Sequence, residues 1–168
     1  MKTTLGTVQM ETRYEAVCRD ASGAVKWIAH VTNLVVTAGL NKLLDATFKT
    51  GLTTPAWYVG LKGTGTVAAG DTMASHAGWT ELTAYSESVR QTFTPGTISG
   101  GSVNNSGSKA VFTANGSMTV LGLFLADNST KGGTSGTLYG AGDFSEGSRA
   151  MVSGDTLTVT CTLTAAAA

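Results

Sequence analysis

The chain has 168 residues, a length that fits one domain with its own core. Charged residues make up only 13% of it and 11 basic residues balance 11 acidic ones, whereas roughly a quarter of an average protein is charged. Because the basic residues are scattered, the composition argues against a surface for nucleic acid or for an anionic membrane. An uncharged surface rich in hydroxyl groups favours association, so we expect a homo-oligomer or a subunit docked in something larger.

The N-terminal stretch MKTTLGTVQM lacks the apolar core of a secretory signal, and no apolar run is long enough to span a membrane. We therefore expect a protein assembled in the cytoplasm. Its two cysteines, Cys18 and Cys161, fall on the inward faces of predicted strands and are interpreted as buried thiols. Whether they lie close together is left open by the sequence.

The N-terminal segment, residues 1–12, carries Leu5, Val8 and Met10 among threonines. Two interpretations stay open, an arm that adds a strand to a partner or the first strand of the domain's own sheet. Residues 13–168 are predicted to form a single β-rich domain. Within it, residues 13–32 alternate polar and apolar side chains about a turn, a pattern typical of a β-hairpin.

One helix is predicted at about residues 38–49, where the period of the apolar residues changes. Leu40, Leu43, Leu44 and Phe48 fall at helical spacing, and Thr37 is placed to cap the N-terminus. Such a one-sided helix should bury this apolar face on a sheet or over the open end of a barrel.

Everything after Pro55 returns to strand patterns. Alternating segments recur every ten to fifteen residues, MTVLGLFLA at 118–126 is apolar on both faces, and TLTVTCTLT at 156–164 alternates without error. The predicted fold class is mainly β, an antiparallel β-sandwich or a jelly-roll or Ig-like barrel with one short helix. The loops at 96–107 and 127–136 are expected to bury little and to be mobile.

The stretch DTMASHAGWTE, residues 71–81, is the densest group of reactive side chains. Ser75 and His76 are sequence neighbours whose side chains diverge, so they do not form a nucleophile and base pair. A metal site at Asp71, His76 and Glu81 would need further ligands. We predict a loop here, and GTGTVA at 63–68 lacks the helix that a dinucleotide site requires.

We accordingly predict no catalytic residue, no cofactor and no metal site, and place function in surfaces. The interaction candidates are Leu5, Val8 and Met10 in the N-terminal segment. A carbohydrate-binding module that stacks sugars on its tryptophans remains an alternative.

Six stretches resemble small structural proteins of tailed bacteriophages. They are NLVVTAGLNKLLDATF (33–48), WYVGLKG (57–63), DTMASHAGWTELTAY (71–85), RQTFTPG (90–96), FLADNSTKGGTSGTLYGAGDF (124–144) and SGDTLTVTCTLT (153–164). The resemblance implies a β-rich protein of the virion, assembled in the host cytoplasm, with no catalytic residues. It implies a capsid decoration or cement protein whose partners are the major capsid protein or other virion proteins. A neck or tail component that anchors fibres is the alternative.

Overall fold

The computed structural model describes residues 6–49 and 55–167. This part of the chain contains thirteen strands and one helix. The strands are β1 (Val8–Arg19), β2 (Val25–Thr32), β3 (Leu34–Val35), β4 (Trp57–Gly65), β5 (Trp79–Leu82), β6 (Gln91–Phe93), β7 (Ser102–Asn104), β8 (Ala110–Thr113), β9 (Met118–Val120), β10 (Gly122–Ala126), β11 (Leu138–Asp143), β12 (Arg149–Met151) and β13 (Thr156–Ala167). The helix α1 (Thr37–Phe48) lies between β3 and β4.

The first sheet, sheet A, is built on the two longest strands. β1 and β13 pair antiparallel along their full lengths, from Val8 opposite Ala167 to Arg19 opposite Thr156. The hairpin partner β2 pairs with β1, which confirms the hairpin predicted from the alternation, and β7 and β8 share the other edge of β13. The N-terminal and C-terminal strands are therefore neighbours at the centre of one sheet.

The second sheet, sheet B, has the order β3-β11-β10-β4, with β5 and β6 sharing the far edge of β4. All pairings are antiparallel. Strand β10 lies in the middle, and all five of its residues are buried. The predicted strand 118–126 is in fact two strands, because β9 turns away to pair with β12.

One main core lies between the sheets. Sheet A contributes the inward alternation of β1 and β13, including Tyr14 and Val159, and sheet B contributes residues such as Leu61 and Leu123. The described part of the chain is thus mainly β, with antiparallel sheets in a sandwich-like arrangement and one helix, as predicted. Removing these apolar faces from water is the main force that holds the sheets together.

A smaller core covers the outer face of sheet B. Phe124 of β10 points outward, and Met73 from the loop before β5 and Trp79 at the start of β5 pack over it. The Trp79 and Phe124 rings lie 5.3 Å apart. Gly60 of the neighbouring strand makes room, because a Cβ there would overlap the Phe124 ring.

The helix begins and ends close to the predicted limits, but its orientation differs from the prediction. Val36 precedes it without a side-chain cap, so the expected Thr37 cap is wrong. Its buried residue is Gly39, which packs on β11 so closely that a Cβ would overlap the Tyr139 carbonyl oxygen. Leu40 and Leu44 remain 42% and 58% exposed. The predicted burial of the apolar face is therefore wrong for most of that face.

The loops at 96–107 and 127–136 bury little, as predicted, since Asn105 is their one buried residue. Each is nevertheless anchored to the domain by polar contacts. In the first, Asn105 is fully buried and bonds the backbone N–H of Cys161 at 2.7 Å. In the second, Lys131 donates to the carbonyl oxygens of Tyr85 and Glu87. Each loop thus supplies polar groups that satisfy buried backbone atoms, which composition does not reveal.

The two cysteines are buried and unpaired with each other. Cys18 lies opposite Leu157 and Cys161 lies opposite Tyr14, so four positions separate them along the paired strands. Burial raises the pKa of Cys18 to about 11 and also raises the pKa of Cys161. Both thiols therefore act as small apolar side chains in the core.

Candidate interaction surfaces

The structure places two of the three N-terminal candidates in β1. Val8 lies opposite Ala167 and Met10 lies opposite Ala165, so the described end of this segment is a strand of the domain's own sheet. Leu5 lies outside the described residues. Residues Val8–Thr12 are therefore not an arm that extends away from the domain, because they pair with β13.

The start of β1 nevertheless has a free edge. Strand β2 pairs with β1 only from Arg13 onward, and Asn33 bonds the Thr12 carbonyl oxygen. No described strand pairs with the second edge of Val8–Glu11. An unpaired edge presents backbone N–H and C=O groups to which another chain can bond.

An apolar groove, called here the helix groove, runs between this end of β1 and the helix. Its volume is about 580 Å³. Val8 and Met10 share the inward face of β1 with Tyr14, but the helix stands opposite them in place of a sheet. The lining residues are Val8, Met10, Leu40, Leu43, Leu44, Thr47, Phe48 and Ala165. The groove thus joins two of the candidate residues to the helix face that was expected to be buried.

None of the described residues that line the groove is charged. The charged side chains on its helix are paired within the chain, Lys49 with Asp45 at 2.9 Å and Lys42 with Asp127 at 3.8 Å. Val8 is 73% exposed and Phe48 is 78% exposed. Exposed apolar side chains gathered in one place are typical of a protein contact surface.

A second apolar surface, called here the outer row, crosses the solvent face of sheet A. Strand register aligns Ile28, Val17, Thr158 and Val111 across four neighbouring strands. Ile28 is 47% exposed and Val111 is 39% exposed. The outward threonines of β13 continue this face along the strand. Away from Thr158 they lie opposite charged residues of β1, Glu11, Arg13, Glu15 and Arg19.

Charged residues on the same sheet face lie beside the outer row. Arg13 bonds Glu11 at 2.8 Å, and the Nδ1 atom of His30 lies 2.8 Å from Glu146. The backbone N–H and ring of His30 bond the Glu146 carboxylate and lower its pKa to about 2. These charges are engaged inside the chain.

The stretch at 71–81 forms the predicted loop followed by the start of β5. The Asp71 carboxylate accepts bonds from the Ala68 backbone N–H at 2.8 Å and from Trp79 Nε1 at 3.0 Å. The His76 ring stacks on Trp79 at 4.2 Å. The polar side chains of this loop thus position Trp79 over sheet B.

Asp71, His76 and Glu81, the three residues considered as metal ligands, make hydrogen bonds to different partners. Asp71 and His76 hold Trp79, whereas Glu81 bonds Arg90. Among residues 6–49 and 55–167, no three His, Cys, Asp or Glu side chains lie close enough together to hold a metal ion.

Two buried cations were not predicted from the sequence. Arg90 and Lys62 are both fully buried. The Lys62 ammonium bonds the Gly65 carbonyl oxygen at 2.5 Å and Asp143 at 2.6 Å. Lys62 lies within β4 and Arg90 directly precedes β6. At both positions alternation alone predicts only an inward or outward side chain. No signal in the sequence identifies their distant partners.

The tryptophans differ in exposure. Trp79 is buried, and Trp27 is half-buried with its Nε1 atom bonded to the Ala150 carbonyl oxygen. Trp57 lies in an apolar pocket of about 390 Å³ with Pro55 and Pro95. The pocket is lined by prolines, threonines and apolar side chains.

Comparison of the chain with models of protein families, with curated proteins and with solved structures finds no match. No helix in the described ranges is long and apolar enough to cross a bilayer. The surfaces described above are therefore interpreted from their own chemistry.

Proposed function

We propose that this chain is a structural protein of a bacteriophage virion, a capsid decoration or cement protein bound to the shell. One observation carries the proposal, the exposure of uncharged apolar surfaces on a β-sandwich. The sequence resemblance to small virion proteins supports the same class. The partner is the major capsid protein, and the protein acts by burying surface at assembly.

The outer row is the surface proposed to meet the major capsid protein. Charged residues are depleted at the centres of protein interfaces, and the outer row has none among its four members, Ile28, Val17, Thr158 and Val111. The threonines of β13 add hydroxyl groups that can bond a facing backbone.

The size of the contact implies attachment through more than one copy. The strands β2, β1, β13 and β8 have 8, 12, 12 and 4 residues. At about 3.3 Å per residue and about 4.8 Å between strands they offer roughly 600 Å² of sheet face. A stable interface uses roughly 800 Å² on each partner. Linking several copies raises the overall affinity without new contacts, so an oligomeric decoration protein fits this surface.

The first test is the number of copies of the chain per purified particle, measured by quantitative mass spectrometry against the major capsid protein. We expect hundreds of copies, as for a protein spread over the shell. About six to twelve copies would match a cyclic assembly and would favour the neck or tail alternative. Absence of the chain from washed particles would overturn the virion proposal.

A paired variant tests the surface. Val111→Glu places a charge in the outer row, and we expect it to abolish rebinding to particles that lack the protein. Val89→Glu is the matched control, since Val89 is 43% exposed but outside the row. Equal rebinding by both variants would rule out the outer row. Specific binding of the purified chain on a glycan array would favour the carbohydrate-binding alternative instead.

A further inference from the structure

We propose that the helix groove binds a second copy of this chain, so that the protein forms a symmetric dimer. The inference goes beyond the virion role and does not depend on it. The two contacts occupy different surfaces, because the outer row lies on the solvent face of sheet A and the groove lies on the inward side of β1.

The exposed apolar area is the first argument. Leu44 is 58% exposed, Val8 is 73% exposed and Phe48 is 78% exposed. With Leu40 and the half-buried Met10 and Leu43, they present roughly 500 Å² of apolar surface, which is at the upper end of what a monomer normally leaves in one patch. Two such patches facing each other would bury roughly 1,000 Å², the lower limit for a specific interface.

The arrangement of the patch is the second argument. Leu40, Leu44 and Phe48 are four residues apart and form one ridge along the helix. A two-fold axis near Leu44 would set the ridges of two helices against each other in antiparallel directions. Leu40 of each copy would then lie near Phe48 of the other. The ridge is complementary to itself, so a second copy covers both patches with one contact.

The charges beside the ridge permit this alignment. Around an axis at Leu44, Lys49 of one copy falls near Gly39 of the other, and Lys42 falls near Ala46. Like charges are therefore not brought together. The dimer would also shield the unpaired edge of Val8–Glu11, which borders the groove.

The experiment is sedimentation equilibrium of the full purified chain, with no phage particle present. We expect a dimer at about 10 µM. Leu44→Lys and Phe48→Lys should each weaken dimerisation at least about 100-fold by burying a charge at the contact. Lysine near a helix C-terminus suits the helix dipole, so both variants should keep the wild-type circular dichroism. Their melting temperature should match that of the wild-type chain at concentrations low enough for the wild-type chain to be monomeric.

Val152→Lys is the matched control, because Val152 is 49% exposed and lies at the opposite end of sheet A, beside Asp155. It should remain a dimer. A wild-type chain that stays monomeric at about 100 µM would overturn the proposal, and so would a dimer that survives both helix variants. A monomer that dimerises only after removal of residues 1–5 would show that the chain's own N-terminus fills the groove. Since these measurements use the isolated chain, their failure is distinct from a failure of the virion proposal.

Discussion

At the scale of single residues, the contact that sequence patterns least predict is the buried pair of Arg90 and Glu81. Arg90 is fully buried, and its Nε and Nη2 atoms bond both Glu81 carboxylate oxygens at 2.9 and 2.7 Å. Two further N–H groups of Arg90 bond the carbonyl oxygens of Asn128 and Gly133. The guanidinium lies 5.2 Å from the centre of the Phe124 ring. Four hydrogen bonds thus hold the guanidinium, and two of them fix the loop at 127–136.

Removing the negative charge of Glu81 should destabilise the folded chain. Glu81→Gln leaves the Arg90 charge buried without a counterion, and we expect the free energy of unfolding to fall by about 3–5 kcal/mol. Urea unfolding measures this. Glu11→Gln is the control, since Arg13 and Glu11 form an exposed pair worth about 0–1 kcal/mol. Similar losses for both variants would contradict the assigned role of the buried pair.

The carboxylate of Glu146 predicts a pH dependence. Hydrogen bonds from the His30 backbone N–H and ring lower its pKa from 4.5 to about 2. A pKa that is lower in the folded state means that the stabilisation is present above about pH 4.5 and is lost as the pH falls towards 2. We expect Glu146→Gln to lower the melting temperature at pH 7 but to match the wild-type chain near pH 2. A difference that persists unchanged in acid would contradict this.

At the scale of elements, the helix is held by its smallest residue. Gly39 contacts the backbone of β11, and the backbone N–H of Val36 bonds the Tyr139 carbonyl oxygen at 3.1 Å. The apolar ridge of Leu40, Leu44 and Phe48 was expected to make this contact. Helical periodicity identifies an apolar face but not the surface on which it packs, and here that face lines the groove.

Gly39→Ala separates helix propensity from packing. Propensity alone predicts a gain of about 1 kcal/mol, because alanine is the better helix former. The overlap with the Tyr139 carbonyl predicts a net loss of about 1–3 kcal/mol instead. Asn41→Ala is the control at an exposed helix position and should be neutral or stabilising. Thermal unfolding of both variants measures whether each substitution raises or lowers stability. Stabilisation by Gly39→Ala would contradict the packing argument.

Other elements follow the sequence closely. The threonine and apolar alternation of β13 predicted its inward face, because a half-buried strand must alternate. The stretch 118–126 was predicted to be covered on both sides, which is confirmed for β10 but not for β9, where Thr119 is exposed. The division between β9 and β10 was not predicted. A continuous apolar run does not indicate where the chain leaves one sheet and joins another.

At the scale of the whole molecule, the proposed attachment should be insensitive to salt. Raising salt from about 0.1 to 1 M shortens the screening distance from about 10 to 3 Å and weakens exposed ion pairs most. Because the outer row has no charged member, we expect the protein to stay on purified particles across this range. Particle sedimentation followed by gel analysis of the supernatant measures this. Release by moderate salt would mean that charged residues carry the contact.

The fold class, the hairpin, the helix limits and the structural character of the 71–81 loop all follow from local patterns in the residues. These features depend on side-chain period and turn chemistry, which are properties of neighbouring positions. Tertiary structure alone decided the split of 118–126, the burial of Arg90 and Lys62, and the meeting of Val8 and Met10 with the exposed ridge of the helix. Each of these joins residues far apart in the chain, and no local pattern specifies which distant surface a face will meet.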